Sequence, residues 1–141
     1  MLSEQDFLKI SQTRLEEAKI LFSNGLYDGS VYLAGYALEA ALKGRICKIL
    51  DSDYPPSGDA FRSFYTHKFD TLIKLAALEK KLDEAKVLSS NFATNWSLAT
   101  SWTEANRYLR IGSKTKAEAA DVLASLEDPT DGILTWIKKV W

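Results

Sequence analysis

The stretch that decides the fold is residues 25–43, GLYDGSVYLAGYALEAALK. Between Val31 and Leu42, every residue except one acid, Glu39, is apolar, aromatic or glycine. A helix that is hydrophobic around most of its circumference is stable only when neighbouring elements cover it. The pattern therefore predicts that this segment is the buried central helix of a bundle, beginning just after the glycine turn at Gly25.

The single acid of this helix needs a partner. Lys43 follows Glu39 by one helical turn, with the acid N-terminal to the base, which is the favourable order for an i,i+4 pair. In one interpretation the two form a partly solvated ion pair beside the core. In the other, Glu39 lines a functional groove, because interior acids often mark sites. The sequence leaves both open.

The first two helices are predicted to form an antiparallel hairpin. Ser3 and Asp6 form a capping pair for a helix over about residues 4–23, which ends at Asn24-Gly25. Asp28 is expected to cap the second helix, which continues to about Leu50. The connection is short enough that the two helices must pack side by side.

Further helices are predicted along the rest of the chain. Amphipathic patterns indicate helices over about residues 68–80 and 84–101, followed by a short separate turn over 103–108. Thr115-Lys116-Ala117-Glu118 offers a second capping box for a fifth helix. We expect Asp128-Pro129 to break the chain before a last helix, because proline disrupts a helix interior.

These elements predict an all-α fold, an up-and-down bundle of four to five main helices plus a short C-terminal helix. We expect one domain over residues 1–141, since 141 residues with 46% hydrophobic content suit one ordinary core. Residues 51–66 are predicted to be a mobile internal loop, because two prolines and a glycine interrupt them. Residues 129–141 are expected to dock on the bundle as the C-terminal helix.

Composition narrows the function classes. The formal net charge of −1 argues against general affinity for a nucleic-acid backbone, although a local basic patch remains compatible with it. The single cysteine, Cys47, falls within the apolar pattern and is expected to be a buried thiol in a reducing compartment.

We find no metal-binding or cofactor motif and no DNA-specific motif. No apolar run is long enough to span a membrane, and no signal peptide is evident, so we expect a cytoplasmic protein.

Four segments resemble the HEPN family of small all-helical domains. They are Leu15-Glu16-Glu17-Ala18, Gly25-Leu26-Tyr27-Asp28, Ala34-Gly35-Tyr36-Ala37-Leu38-Glu39-Ala40-Ala41-Leu42-Lys43 and, more weakly, Asn106-Arg107-Tyr108. The resemblance implies a HEPN-like bundle that forms a homodimer. It also implies a nucleotidyltransferase as a candidate partner, because many such domains are encoded beside or fused to one in toxin-antitoxin type complexes.

The ribonucleases of that family carry an arginine followed, after four to six residues, by a histidine. Such a pair suits phosphate chemistry, because arginine grips phosphate oxygens and histidine exchanges protons near neutral pH. After Arg107 the matching positions are Gly112, Ser113 and Lys114, none of which is histidine. After Arg110 the matching positions, 115–117, contain no histidine either. The only histidine, His67, lies far upstream, where capping or packing of the third helix is the favoured interpretation. The chain is therefore predicted to lack the usual catalytic pair and not to be an enzyme.

The remaining candidate site combines aromatic faces with fixed charge. Such a mixture can stack a base and hold a phosphate, or form a protein interface. We predict a non-catalytic, homodimeric binding module for a nucleotide, RNA or a nucleotidyltransferase-type partner. The alternatives are a ribonuclease with a displaced active site and a purely structural interaction module. The predicted ligand- or partner-binding residues are Glu39, Lys43, Asn106, Arg107, Tyr108 and Arg110.

Overall fold

The computed structural model describes residues 1–141 and is an all-α bundle, as predicted. Two short 3₁₀ helices, Asp59–Phe64 and Glu104–Tyr108, interrupt the connections between α-helices. The α-helices are α1 (Glu4–Ser23), α2 (Tyr27–Leu50), α3 (Phe69–Leu75), α4 (Glu79–Leu88), α5 (Ser90–Ala99), α6 (Lys116–Glu127) and α7 (Ile133–Val140). None of them combines the length and the apolarity that crossing a membrane requires.

Helices α1 and α2 form the predicted antiparallel hairpin. The predicted capping box at the start of α1 is present, with the Ser3 hydroxyl accepting from the Asp6 backbone N–H. Two buried serines join the helices: Ser11 donates to the Ala37 carbonyl, and Ser30 donates to the Ala18 carbonyl, both at 2.7 Å. These bonds satisfy hydroxyls that would otherwise be costly to bury.

Helix α2 is the centre of the bundle, as its all-round apolar pattern predicts. Leu38, Leu42 and Ile46 of this helix are fully buried and belong to one continuous hydrophobic core. Close packing also needs Gly35, because a Cβ atom there would lie 2.3 Å from the Trp102 indole. The large ring therefore rests directly on the backbone of α2.

Two predictions about helix ends are wrong. Asp28 does not cap α2, which begins at Tyr27 without a side-chain cap. The two helices predicted over 68–80 and 84–101 are instead three, because the chain turns at Ala77, whose φ is +56°, and again at Ser89, whose backbone is extended. The Ser89 hydroxyl accepts from the Phe92 N–H and so begins a new helix.

The connection over residues 51–66 is attached to the core at two points. Tyr54 is buried, packs edge-to-face on Phe7 and Phe64, and donates its hydroxyl to the Phe64 carbonyl. Its backbone also pairs with Leu2 through two hydrogen bonds of 2.9 and 3.0 Å, forming an isolated antiparallel bridge. Between Tyr54 and Phe64, residues 57–63 are all exposed.

The C-terminal helix packs on the bundle through one apolar face. The chain breaks at Asp128-Pro129, as predicted, and α7 then buries Ile133, Trp136 and Ile137. Arg45 of α2, itself buried, donates to the carbonyl of Trp141 and holds the end of this helix against the centre of the fold.

Candidate functional site

Glu39 lies inside the bundle between two basic side chains. Lys43 Nζ lies 2.6 Å from the carboxylate, and His67 Nδ1 lies 2.9 and 3.0 Å from its two oxygens. The predicted pair with Lys43 is present, but it is more buried than the sequence suggested, with side-chain exposures of 5% for Glu39 and 14% for Lys43. The pair is thus closed to solvent on most sides.

His67 has a role that sequence reasoning missed. It does not cap α3, where no side-chain cap forms, but instead orients its ring on Glu39, with 44% of its side chain exposed. A Glu–His contact fixes which ring nitrogen faces the carboxylate and leaves Nε2 for another partner. The contact spans 28 positions of the sequence, so no local pattern could have revealed it.

A row of aromatic side chains connects this buried pair to the surface of the molecule. Tyr36 lies at its middle, with its ring centroid 5.1 Å from Tyr32, 4.8 Å from Trp102 and 6.4 Å from His67. Burial, followed by the hydrogen bond from Tyr32, raises the pKa of the Tyr36 hydroxyl to about 12. Tyr36 therefore stays neutral at physiological pH, and the row is an uncharged link between charged ends.

Arg107 stands at the exposed end of the row. Its guanidinium lies 4.8 Å from the centre of the Tyr108 ring, which is a cation–π contact. The neighbouring Tyr32 hydroxyl, and then that of Tyr108, raise the pKa of Arg107. The charges of Glu39 and Arg107 act on the pKa of Tyr36 in opposite directions, since Glu39 raises it and Arg107 lowers it.

The other two predicted site residues take different places. The Asn106 side-chain oxygen accepts a long hydrogen bond of 3.4 Å from Thr103 within the same 3₁₀ turn. Arg110 is exposed and its side chain forms no hydrogen bond or ion pair. The fold therefore pairs Glu39 with Lys43 and Arg107 with Tyr108, and leaves Arg110 in solvent.

Asp28 holds the segment that follows the 3₁₀ turn. Its carboxylate accepts from the backbone N–H groups of Gly112, at 2.6 Å, and Lys114, at 2.8 Å. Charge-assisted bonds of this kind are stronger than neutral ones. The residue expected to cap α2 instead anchors Gly112 and Lys114 to the start of that helix, and so restrains the C-terminal end of residues 106–111, which we call the 106–111 segment.

A cavity of about 310 Å³ opens beside His67. Its walls come from the start of α3 and from the chain after α5, and they include His67, Phe69 and Trp102 as aromatic faces. The buried Nε1–H of Trp102 has no hydrogen-bond acceptor in the protein. Around the same opening lie Lys68 and Glu104, so charged groups of both signs line an aromatic recess.

The chemical groups near this cavity are few. No group of three or more metal-ligating side chains is present anywhere in the chain. The sole thiol, Cys47, is buried as predicted, and burial raises its pKa to about 11, so it remains protonated and unreactive. The accessible chemistry consists of an imidazole, two unpaired guanidinium groups and aromatic surfaces.

Comparison with known proteins gives one match. The model of a family described as "HEPN domain" matches residues 4–139, nearly the whole chain. No curated protein and no solved structure shows significant similarity to the chain.

Proposed function

The chain belongs to the HEPN domain family, and from that premise we propose that it is a non-catalytic, homodimeric module that binds RNA or a nucleotide at Arg107. The observation that carries the proposal is the state of the Arg107 side chain. It is exposed, stacks on Tyr108 and has no carboxylate within ion-pairing distance. A guanidinium in this state offers its donors to phosphate, while the adjacent ring offers a face to a base.

The surroundings of Arg107 support the same proposal. Arg110 lies three residues further along, beyond the end of the 3₁₀ helix, and has no carboxylate partner, so the 106–111 segment carries two available positive charges on a chain whose net charge is −1. A local basic patch of this kind supplies phosphate affinity that the total charge conceals. Asp28 restrains the segment through two backbone hydrogen bonds, which reduces the ordering cost of binding.

The homodimer is proposed on the exposed aliphatic side chains of the same segment, which leaves the Tyr108 ring to the RNA. Leu109 is 45% exposed and Ile111 97%. Aromatic and aliphatic side chains beside arginine are typical of protein interfaces. A nucleotidyltransferase-type partner, which the family suggests, would use the same side chains, so the two partners would compete for one surface.

Binding of a labelled, mixed-sequence single-stranded RNA tests the proposal. Arg107→Ala should weaken binding about 10-fold or more, because a hydrogen bond to a charged group contributes roughly 1.5–3 kcal/mol. It should also reduce the dependence of log K on log salt by about 0.7, the slope of one phosphate contact on a single strand. Arg62→Ala is the matched control, because Arg62 is 84% exposed and has only a loose 3.8 Å contact with Asp59.

If wild type and Arg107→Ala bind the RNA with equal affinity, the proposal that Arg107 is the binding site is wrong. Light scattering on the same samples measures the dimer, and monomer mass at working concentration would contradict the homodimer alone. If a purified nucleotidyltransferase encoded beside this chain binds it and Ile111→Asp abolishes that complex without changing RNA affinity, the surface serves a protein partner.

One observation favours ribonuclease activity as a second candidate. Glu39 accepts the contacts of His67 Nδ1 and leaves Nε2 without a protein partner on a residue that lines the cavity, and Tyr36 packs against the His67 ring with 6.4 Å between the ring centroids. An oriented imidazole and a phosphate-binding arginine are the groups that metal-independent RNA cleavage needs. Loss of cleavage in His67→Gln with RNA binding unchanged would establish this activity. Intact RNA after prolonged incubation with wild type would support the non-catalytic module.

A further inference from the structure

We propose that the cavity beside His67 is a guanine-binding site and that Glu104 reads the base. The inference rests on the proposed function, since it supplies the base-recognising half of a site whose phosphate half is Arg107. It is carried by the cavity, by the unpaired charges around it and by the spacing between Glu104 and Arg107.

The cavity has the size and the faces that a nucleobase requires. Its volume of about 310 Å³ lies at the lower end of the range for ligand pockets. The His67 ring is held by two contacts to Glu39, so it is a fixed planar surface at the opening. Phe69 and Trp102, whose ring centroids lie 5.6 Å apart, form its floor, and both are buried in the core. The His67 side chain is 44% exposed, so its ring is the face on which a planar base can stack without displacing the core.

Charged groups at the cavity lack partners in the protein. Lys68, Asp70 and Glu104 all line it, and none of them forms an ion pair. Glu104 is partly buried, whereas Asp70 is exposed, so Glu104 is the carboxylate that has already lost solvent. A partly desolvated carboxylate is stabilised by a ligand that donates hydrogen bonds to it.

Guanine is the base whose hydrogen-bonding edge matches these groups. It presents two adjacent donors, N1–H and the N2 amino group, next to one acceptor, O6. A carboxylate can accept from both donors at once, and an ammonium can donate to O6. Adenine presents a single donor group on the corresponding edge, and hypoxanthine lacks the N2 amino group. The combination of Glu104 with Lys68 therefore favours guanine.

The spacing along the 3₁₀ turn connects the base site to the phosphate site. Glu104 and Arg107 are three residues apart in the helix Glu104–Tyr108. Side chains at i and i+3 of a 3₁₀ helix lie on one side, about 6 Å apart along the axis. One guanine nucleotide can thus place its base at Glu104 and its phosphate at Arg107.

Calorimetric titration with four nucleoside monophosphates tests this inference. Wild type should bind GMP about 10-fold or more tightly than IMP or AMP, because each lost bond to the carboxylate leaves a charged acceptor unpaired. Glu104→Gln should lose that preference. It should gain affinity for XMP, whose C2 carbonyl accepts from an amide NH₂ where guanine donates. Glu84→Gln, which changes an exposed acid on α4, should behave like wild type.

The outcomes separate this inference from the proposed function. If GMP, IMP and AMP bind equally and Glu104→Gln changes nothing, the guanine site is wrong while nucleotide binding stands. If no monophosphate binds but RNA binding still depends on Arg107, the cavity is not a base site and the RNA module stands. If neither binds, both proposals fall. Should Glu104→Gln lower the melting temperature, Glu104→Asp keeps the carboxylate and must retain the preference for GMP.

Discussion

Glu39 and Lys43 on α2 neutralise each other inside the bundle, whereas Arg107 and Arg110 project from the 106–111 segment without any acidic partner. Packing around the central helix orders Glu39 and Lys43. A short turn, and the two hydrogen bonds that Asp28 accepts, position the two arginines. The difference shows that burial, and not residue type, decides whether a charge is committed to folding or remains available to a ligand.

The largest effect is expected from breaking the buried pair. Glu39→Ala leaves the Lys43 ammonium, which is 14% exposed, without its carboxylate and also releases His67. Removing one partner of a buried ion pair costs about 3–5 kcal/mol. Urea unfolding should show this loss, while Arg107→Ala should change the free energy of unfolding by less than about 0.5 kcal/mol. Similar small losses in both variants would abolish the contrast between the two regions.

A somewhat smaller effect is expected where the Trp102 indole meets α2. Gly35→Ala places a Cβ atom 2.3 Å from that ring, and overpacking of a core costs about 1–3 kcal/mol. Gly44→Ala is the control on the same helix, because its Cβ would meet ordinary contacts of 3.4 Å or more and alanine is the better helix former. Thermal unfolding should rank Gly35→Ala below wild type and Gly44→Ala at or above it. The reverse order would mean that Trp102 does not rest on Gly35.

Weakening the anchor of the exposed segment tests the link between the two regions. Asp28→Asn removes the charge from two hydrogen bonds and should destabilise the protein by about 1 kcal/mol. Amide hydrogen exchange should accelerate at Gly112 and Lys114 and leave α2 protected. Asp121→Asn, on the exposed side of α6, is the control. Unchanged exchange at Gly112 would show that the segment is held by something other than Asp28.

The smallest effect concerns the connection over residues 51–66, which we propose is mobile only between its two aromatic attachments. Tyr54 and Phe64 are buried, while most residues between them are exposed. Hydrogen exchange should be fastest over residues 57–62 and slow at Tyr54, whose N–H is bonded to Leu2. Deleting Gly58 should barely alter the melting temperature. Fast exchange at Tyr54 as well would extend the mobile region to the whole connection.

Helix positions were predictable where the information is local. The capping box at Ser3, the N-cap at Thr115 and the break at Asp128-Pro129 all depend on residues within one turn of each other, although at Thr115 the second bond of the predicted capping box does not form. The division of one predicted helix into two at Ser89 could not be predicted, because serine occurs both inside helices and at their N-caps. Membership of the HEPN family was also recognisable from local motifs.

The candidate site was predictable only in part. The i,i+4 pair of Glu39 and Lys43 follows from helix geometry, and Arg107 beside Tyr108 follows from their adjacency. The contact of His67 with Glu39 could not be predicted in this way, because it depends on the path by which the connection after α2 returns to the bundle. Tyr32 and Tyr36 follow the apolar pattern of α2, and only the tertiary structure shows that both pack on Trp102 and that Tyr36 also contacts the His67 ring.

By itself, the sequence determined the all-α class, the central position of α2 and the residue types available for binding, because helical periodicity and capping act over a few residues. Only the tertiary structure decided which of those residues meet. It placed His67 on Glu39, Trp102 on Gly35 and Asp28 on the loop that carries Arg110. Each of these contacts joins distant parts of the chain, and close packing of the whole bundle, rather than any local preference, selects them.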